Sequence, residues 1–328
     1  MEFNLPFKKN IAILALGAES AGNFSVCQNG FVYFSQDFGD LLENTNFNKY
    51  KTELREYLKN KNIKPDIILT DLHPNFLTTK LGKKLARKYR AKHIFIQHHI
   101  AHIFSAIGDR KLFQNSKFKI QNSVIGVALD GTGYGADRKI WGGEVFKIQK
   151  SKITRIGHLE NQTMLGSELA IKEPARMLLS ILNKVFSAPS SPLGRGCPPR
   201  RTGEGRSELQ KKNFIYNFVK KYYTRNEFEL LYNQLQQNFN CVETSSAGRI
   251  LDAVSLLLGF CGNKRNYKHE PAFLLEANSS KPYTDLKPKI DIAKNNYTLN
   301  TTFLFEYLIK NLRKDKKRLA ATAQLYIA

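Results

Sequence analysis

Acidic residues are scarce in this chain, cysteines are scarcer, and long apolar runs are missing. Asp and Glu number 28 against 51 Lys and Arg, a formal net charge of +23. No window holds the roughly 18 consecutive apolar residues of a membrane-spanning helix, so no membrane partner is expected. The four cysteines, Cys27, Cys197, Cys241 and Cys261, show no C-x-x-C spacing. That argues against both a disulfide framework and a cysteine zinc site, and makes a reducing cytoplasm the expected compartment. The opening stretch "MEFNLPFKKNIAILALGAES" lacks a basic leader and reads as a first strand rather than a targeting segment. The surplus of lysine is spread over the whole length rather than gathered into an aromatic-interleaved stripe. Nucleic acid is therefore not the expected partner, although a basic face could meet an acidic protein or a nucleotide.

With 328 residues and 42% hydrophobic content, the chain can form one large or two ordinary domains with real cores. Its first third reads as three short strands ("IAILALGA", "NFSVCQ", "GFVYFS"), then helix, strand, helix, strand. Tyr50, Leu54, Tyr57 and Leu58 stand at helical spacing over 47–63. "DIILT" (66–70) and "HIFIQ" (93–97) are compact apolar strands. Between them, 73–90 reads as a basic helix with Pro74 near its start. After residue 118 the pattern restarts. Strands at 124–130, 140–148 and 153–159 precede a helix from Ala170 into "RMLLSIL". Three strands followed by a helix, twice, predict two related α/β subdomains, 1–118 and 119–328, facing each other across a cleft. Residues 187–208, rich in Pro, Gly, Ser and Arg, read as a low-complexity surface insertion. "SSAGRILDAVSLLLGF" (245–260) is a helix capped by Ser245 or Ser246.

Of seven histidines, four lie in "KHIFIQHHIAH" (92–102). His98 and His102, four apart at the start of a helix, project from one face and form a two-point chelate suited to zinc or iron. The alternative is a pair of partly buried histidines capped by carbonyls. His93 and His99 read as supporting residues. A third ligand is needed, and Asp130 is the candidate. It ends one strand and opens "DGTGYG", whose Gly131, Gly133 and Gly135, with Thr132, could turn backbone N–H groups toward phosphate. A plain tight turn is the alternative there. "WGGE" (141–144) adds a second point of close backbone approach.

The stretches "TDLHPNFLTT", "QHHIAH", "VALDGTGYGADRKIWGGEVF", "AIKEPARMLL" and "SSAGRILDAV" resemble, in order and character, the HypF family of carbamoyltransferases, which mature [NiFe] hydrogenases. The match is to that family's large domain, which is akin to tRNA threonylcarbamoyltransferases. The resemblance implies an α/β fold of two duplicated RNase H-like, actin-like ATPase (ASKHA) subdomains. It implies transfer of a carbamoyl group from carbamoyl-adenylate to the C-terminal cysteine of a HypE-type partner. It also implies a divalent metal, zinc or iron, on His98, His102 and Asp130. ATP or carbamoyl-adenylate would meet Gly131, Thr132, Gly133, Gly135, the turn carrying Gly166 and Glu168, and Arg249 and Asp252. For Arg249 and Asp252 a surface ion pair on an amphipathic helix is the competing reading. No side chain stands out as a nucleophile, because the attacking thiolate would belong to the partner.

The departures from the family pattern are specific. "LGSE" (165–168) replaces a Gly-Gly-Asp turn, and "KHEPAFLLE" (268–276) replaces a glycine-bearing run. "LAATAQLYIA" resembles the helix before the family's last glycine-rich strand, so the second subdomain is expected to be incomplete at its C-terminal end. The domains that form carbamoyl-adenylate in the family have no counterpart here, and a separate activating protein is the expected source. Two other functions remain open at this level: tRNA threonylcarbamoylation, and a degenerate nucleotide-binding protein without catalysis.

Overall fold

The computed structural model describes residues 2–4, 10–113, 123–150, 152–187, 204–294 and 296–328. The chain divides into two compact units. One is Met1–Lys119 with Tyr134–Arg138, and the other is Ile120–Gly133 with Lys139–Ala328. Among the described residues no helix is long and apolar enough to cross a membrane.

The first unit holds strands β1 (Glu2–Asn4), β2 (Ala12–Ala15), β3 (Ser25–Gln28) and β4 (Phe31–Phe34). Helix α1 (Asn44–Asn60), strand β5 (Ile67–Asp71), helix α2 (Leu77–Tyr89), strand β6 (Lys92–Ile96) and helix α3 (His98–Phe113) follow. They form one sheet in the order β1-β4-β3-β2-β5-β6. The pairs β2–β3 and β3–β4 are antiparallel, as hairpin-length connections require. The pairs β2–β5 and β5–β6 are parallel, each crossing through a helix. Helical spacing puts Tyr50, Leu54 and Leu58 on the buried stripe of α1. There they join Leu14, Leu16, Phe24 and Ile68 in the core. Burying Leu54 and Leu58 contributes about 1.5–3 kcal/mol each. The buried Tyr50 hydroxyl is satisfied by donating to the Leu16 carbonyl at 2.8 Å. Helix α2 approaches β5 closely at Gly82, where a Cβ would stand 2.3 Å from Thr70 Cγ2. It starts three residues later than Pro74 suggested, with Phe76 as its N-cap residue.

The ends of β5 and β6 matter most for chemistry. These neighbouring parallel strands finish side by side, tied by the Leu72 N–H donating to the Ile96 carbonyl at 2.9 Å. Segments leaving the carboxyl ends of adjacent parallel strands are where such sheets build sites.

The second unit contains β7 (Val124–Tyr134), β8 (Ile140–Gln149), β9 (Lys152–Leu159) and β10 (Gln162–Leu165). Helices α4 (Leu169–Lys172), α5 (Pro174–Ser187), α6 (Glu204–Val219) and α7 (Arg225–Gln236) come next. Strand β11 (Cys241–Thr244) precedes α8 (Ala247–Leu258) and α9 (Glu270–Ala277). Strands β12 (Ile290–Ala293) and β13 (Asn296–Leu299) and helices α10 (Thr301–Lys310) and α11 (Lys316–Ile327) complete it. The sheet runs β10-β11-β8-β9-β13-β12, with β7 also paired to β8. Its core joins Met177, Ile181, Ile250, Val254, Leu304 and Leu319, contributed by α5, α8, α10 and α11.

Several expectations need correction here. The glycine-rich "DGTGYG" is not a turn, because β7 continues through it to Tyr134. None of its glycines has a positive φ, so the backbone conformation here does not require them. The helix expected from Ala170 is broken at Glu173, since Pro174 has no N–H to continue α4 and instead begins α5. Strands β10 to β13, four residues each, were not expected from the sequence at all. Of the low-complexity insertion expected at 187–208, residues 188–203 lie outside the described residues, and α6 has already begun at Glu204.

Caps follow the local chemistry. Thr224 and Glu227 form a reciprocal capping box on α7, and Ser246 caps α8 by accepting from the Arg249 N–H at 3.1 Å. Ser246 Oγ also lies 2.6 Å from the Gly131 carbonyl, which accepts from it. The variant Ser246→Ala is expected to lose about 1–2 kcal/mol of stability in urea melts, the upper part of the range for a cap. A loss under about 0.3 kcal/mol would show that the hydroxyl contributes nothing at either bond.

Candidate functional site

In the first unit the histidine cluster is organised by an acid that sequence reasoning passed over. Asp71 closes β5 and is 8% exposed. Its Oδ2 lies 2.6 Å from His98 Nδ1, and its Oδ1 accepts from the His73 N–H at 2.8 Å. A carboxylate can only accept, so the His98 proton is held on Nδ1 and the Nε2 lone pair faces outward. That Nε2 lies 3.1 Å from His102 Nε2. Two nitrogen ligands on a tetrahedral ion with ~2.0–2.1 Å bonds stand about 3.3 Å apart, so the pair already has chelating geometry. Asp71 behind His98 supplies the carboxylate–histidine arrangement that orients metal ligands.

Helix α3 positions this pair because Gln97 caps it, accepting from the Ile100 N–H at 3.1 Å. The same side chain's Nε2 is 2.8 Å from His99 Nδ1 and 3.2 Å from the Tyr134 carbonyl. His99 is fully buried, turned away from the chelating face as the helical spacing predicts. His93 is engaged with Thr70 Oγ1 at 2.9 Å. Burial, with help from Lys83, lowers its pKa and keeps it neutral. The signal for Asp71 was present: an acid ending the strand that neighbours the histidine strand.

Asp130, the expected third ligand, belongs to the second unit, in β7. Its Oδ1 accepts from the Gly131 N–H at 2.6 Å. The glycines around it mark close approaches. A Cβ on Gly142 would stand 2.5 Å from the Asp130 carbonyl oxygen, and one on Gly248 would stand 2.9 Å from Gly131 Cα. Strand β7 therefore lies directly against the first turn of α8, whose N–H groups and dipole favour an anion. Thr132 is exposed, whereas Gly133 and Gly135 are buried. Gly166 and Ser167 both have positive φ, +81° and +54°, in the turn that leads to the exposed Glu168. A Cβ on Gly166 would also meet Arg176 Nη1 at 2.9 Å.

Arg249 and Asp252 are not a surface pair. They are 2% and 1% exposed, with Arg249 Nη2 2.8 Å from Asp252 Oδ2. Arg265 Nη2 donates to that same oxygen, a partner the sequence did not indicate. Burial lowers Arg249 to about 10, with Asp252 and Asp130 pulling it back up. Burial likewise pushes Asp252 up, against the pull of both guanidiniums. With two cations on one of its oxygens, Asp252 is the anion of the cluster. A second buried group ties β8 to the start of α8. Glu144, fully buried, receives Arg155 Nε at 2.5 Å and the Ser245 hydroxyl. The Arg155 guanidinium lies over the Trp141 ring at 4.0 Å.

Both units match known families in sequence. Residues 126–328 match the model described as carbamoyltransferase, Kae1-like domain, second subdomain. Residues 8–109 match the HypF Kae1-like domain. The chain belongs to the HypF carbamoyltransferase family. Across its whole length it is 38% identical to a probable carbamoyltransferase HypF of Methanocaldococcus jannaschii, of which it covers 38%. Over 83% of its length it is 29% identical to carbamoyltransferase HypF of Synechocystis, covering 33% of that protein. Among solved structures, T. kodakarensis HypF aligns over all of this chain with a TM-score of 0.79 and 30% identity, 39% of that protein being covered. A full-length HypF in a phosphate- and nucleotide-bound form aligns over 98% of the chain and 38% of its own, with TM-score 0.79 and 25% identity. This chain thus spans about two-fifths or less of each of these relatives. The fold is the α/β, Kae1-like one that the sequence implied.

Proposed function

We propose that this chain performs the carbamoyl-transfer step of a HypF-type enzyme in [NiFe] hydrogenase maturation. In this reading carbamoyl-adenylate, made by a separate activity from ATP, binds the second unit. The C-terminal cysteine of a HypE-type partner attacks it. The thiolate sulfur forms a bond to the carbamoyl carbon, the bond from that carbon to the phosphate oxygen breaks, and AMP leaves with the electron pair. The observation that carries the reading is the match of both units to the two successive parts of the family's Kae1-like domain.

The residues present suit these roles. The first turn of α8 and the Arg249 guanidinium make a positive surround for a phosphate, which stabilises the charge on departing AMP. His98 and His102 would hold a zinc or iron ion through Nε2, with Asp71 fixing the His98 tautomer. Such an ion, when bound, polarises a carbonyl or neutralises phosphate charge. No side chain of this chain is assigned as the nucleophile.

The test supplies carbamoyl-adenylate and a HypE-type protein to the metal-loaded chain and follows the partner by intact mass. One added carbamoyl group, absent when the partner's terminal cysteine is Ser, is the expected result. Bound adenylate without any transfer would overturn the catalytic reading and leave a nucleotide-binding protein. Tight, salt-sensitive tRNA binding without cysteine modification would replace it with tRNA threonylcarbamoylation.

A further inference from the structure

Three side chains of the second unit form a buried ion cluster whose hydrogen bonding is incomplete. Arg249 forms an ion pair with Asp252 Oδ2 at 2.8 Å, and Arg265 donates to the same oxygen. Asp252 Oδ1, Arg249 Nε and Arg265 Nε are buried with no hydrogen-bond partner among the described residues. Spending two guanidiniums on one oxygen of one carboxylate is an expensive arrangement if the purpose is only to hold α8 in place. A single arginine, or an apolar packing of equal volume, would serve stability as well or better.

The charge balance explains the second arginine. Arg249 faces two carboxylates, Asp252 at 2.8 Å and Asp130, whose field it also feels. Its Nη2 reaches toward the β7 backbone, 3.7 Å from where a Cβ of Gly131 would be. With one arginine against two carboxylates, this region would be net negative and would repel phosphate. Arg265 comes from the loop after α8, where its N–H donates to the Lys172 carbonyl at 3.4 Å, and its guanidinium cancels Asp252.

We propose that Arg265 is a positioning residue for a polyanionic ligand: by neutralising Asp252 it leaves the Arg249 guanidinium electrostatically available to phosphate at Gly131. The inference rests on the nucleotide reading above and sharpens it. It makes the second unit selective for phosphate-bearing nucleotides over neutral nucleosides.

Calorimetric titrations of the full chain with ATP, AMP and adenosine, at low and at high salt, test it on wild type, Arg265→Gln and Arg265→Lys. In Arg265→Gln, ATP binding is expected to weaken about tenfold or more at low salt, as loss of one nearby positive charge implies. Adenosine affinity should stay unchanged, and Arg265→Lys should recover most of the ATP affinity. Equal ATP affinity in wild type and Arg265→Gln overturns the proposal, as does an equal loss for ATP and adenosine, which marks a purely structural ion cluster. Should Arg265→Gln fail to fold, the Lys variant and wild type decide: an ATP preference over adenosine that does not respond to salt overturns it. If wild type binds none of the three ligands, the nucleotide reading itself falls, an outcome distinct from those above.

Discussion

Replacing His98 and His102 together by alanine is expected to abolish metal binding by the isolated chain. The chelating geometry is already built into the first turn of α3. Two imidazole nitrogens face each other at 3.1 Å, and the proton of one ring is tied away by Asp71 at 2.6 Å. Wild type should therefore carry about one zinc or iron per chain after loading, read by elemental analysis, and the double variant none. Asp71→Asn keeps the ligands but weakens their orientation and basicity, so affinity should fall about 10–100-fold. Binding should also weaken as the pH falls, because both imidazoles must be neutral to bind and protons compete with the ion. Full metal content in the double variant would remove this site from consideration.

Asp252→Ala should be the most destabilising single substitution in the second unit. It strips the common partner from Arg249, 2% exposed, and from Arg265, leaving Arg265 without its carboxylate and the buried Arg249 with only the field of Asp130. Removing one member of a buried ion pair costs about 3–5 kcal/mol, far more than the pair contributes when intact. Trp141, the chain's single tryptophan, is buried in β8 of the same unit. Its fluorescence in a urea titration therefore reports this unit's unfolding. A loss below about 1 kcal/mol would mean that the arginines are solvated and that the cluster is not buried in solution.

Elements with strong local signals were legible in the sequence. The stripe of Tyr50, Leu54 and Leu58 predicted α1, the apolar runs predicted β5 and β6, and the Ser246 cap predicted the start of α8. The chelating spacing of His98 and His102 is a property of one helix, and so could be read from four residues of chain. Elements that depend on distant partners were not legible. Strand β10 exists because it pairs with β11 about eighty residues later, and four-residue strands carry too little periodicity to be recognised alone. The glycines of "DGTGYG" suggested a turn. In the fold β7 runs through them as a strand, and it is Gly248 of α8 and Gly142 of β8 that permit the close approach to Asp130 and Gly131.

What the sequence by itself determined, then, is the α/β class, the longer helices and strands, and where the histidine, acid and glycine motifs stand along the chain. These are encoded by periodicity, caps and short motifs, whose physics acts within a few residues. Only the tertiary structure decided the partners of those residues: Asp71 behind His98, Gln97 beneath His99, Arg265 across Asp252, and Ser245 with Arg155 on Glu144. A charged or imidazole group acquires its protonation state and its field from whichever groups folding brings within a few ångströms. Parallel strands and crossing helices supply those groups from far along the chain.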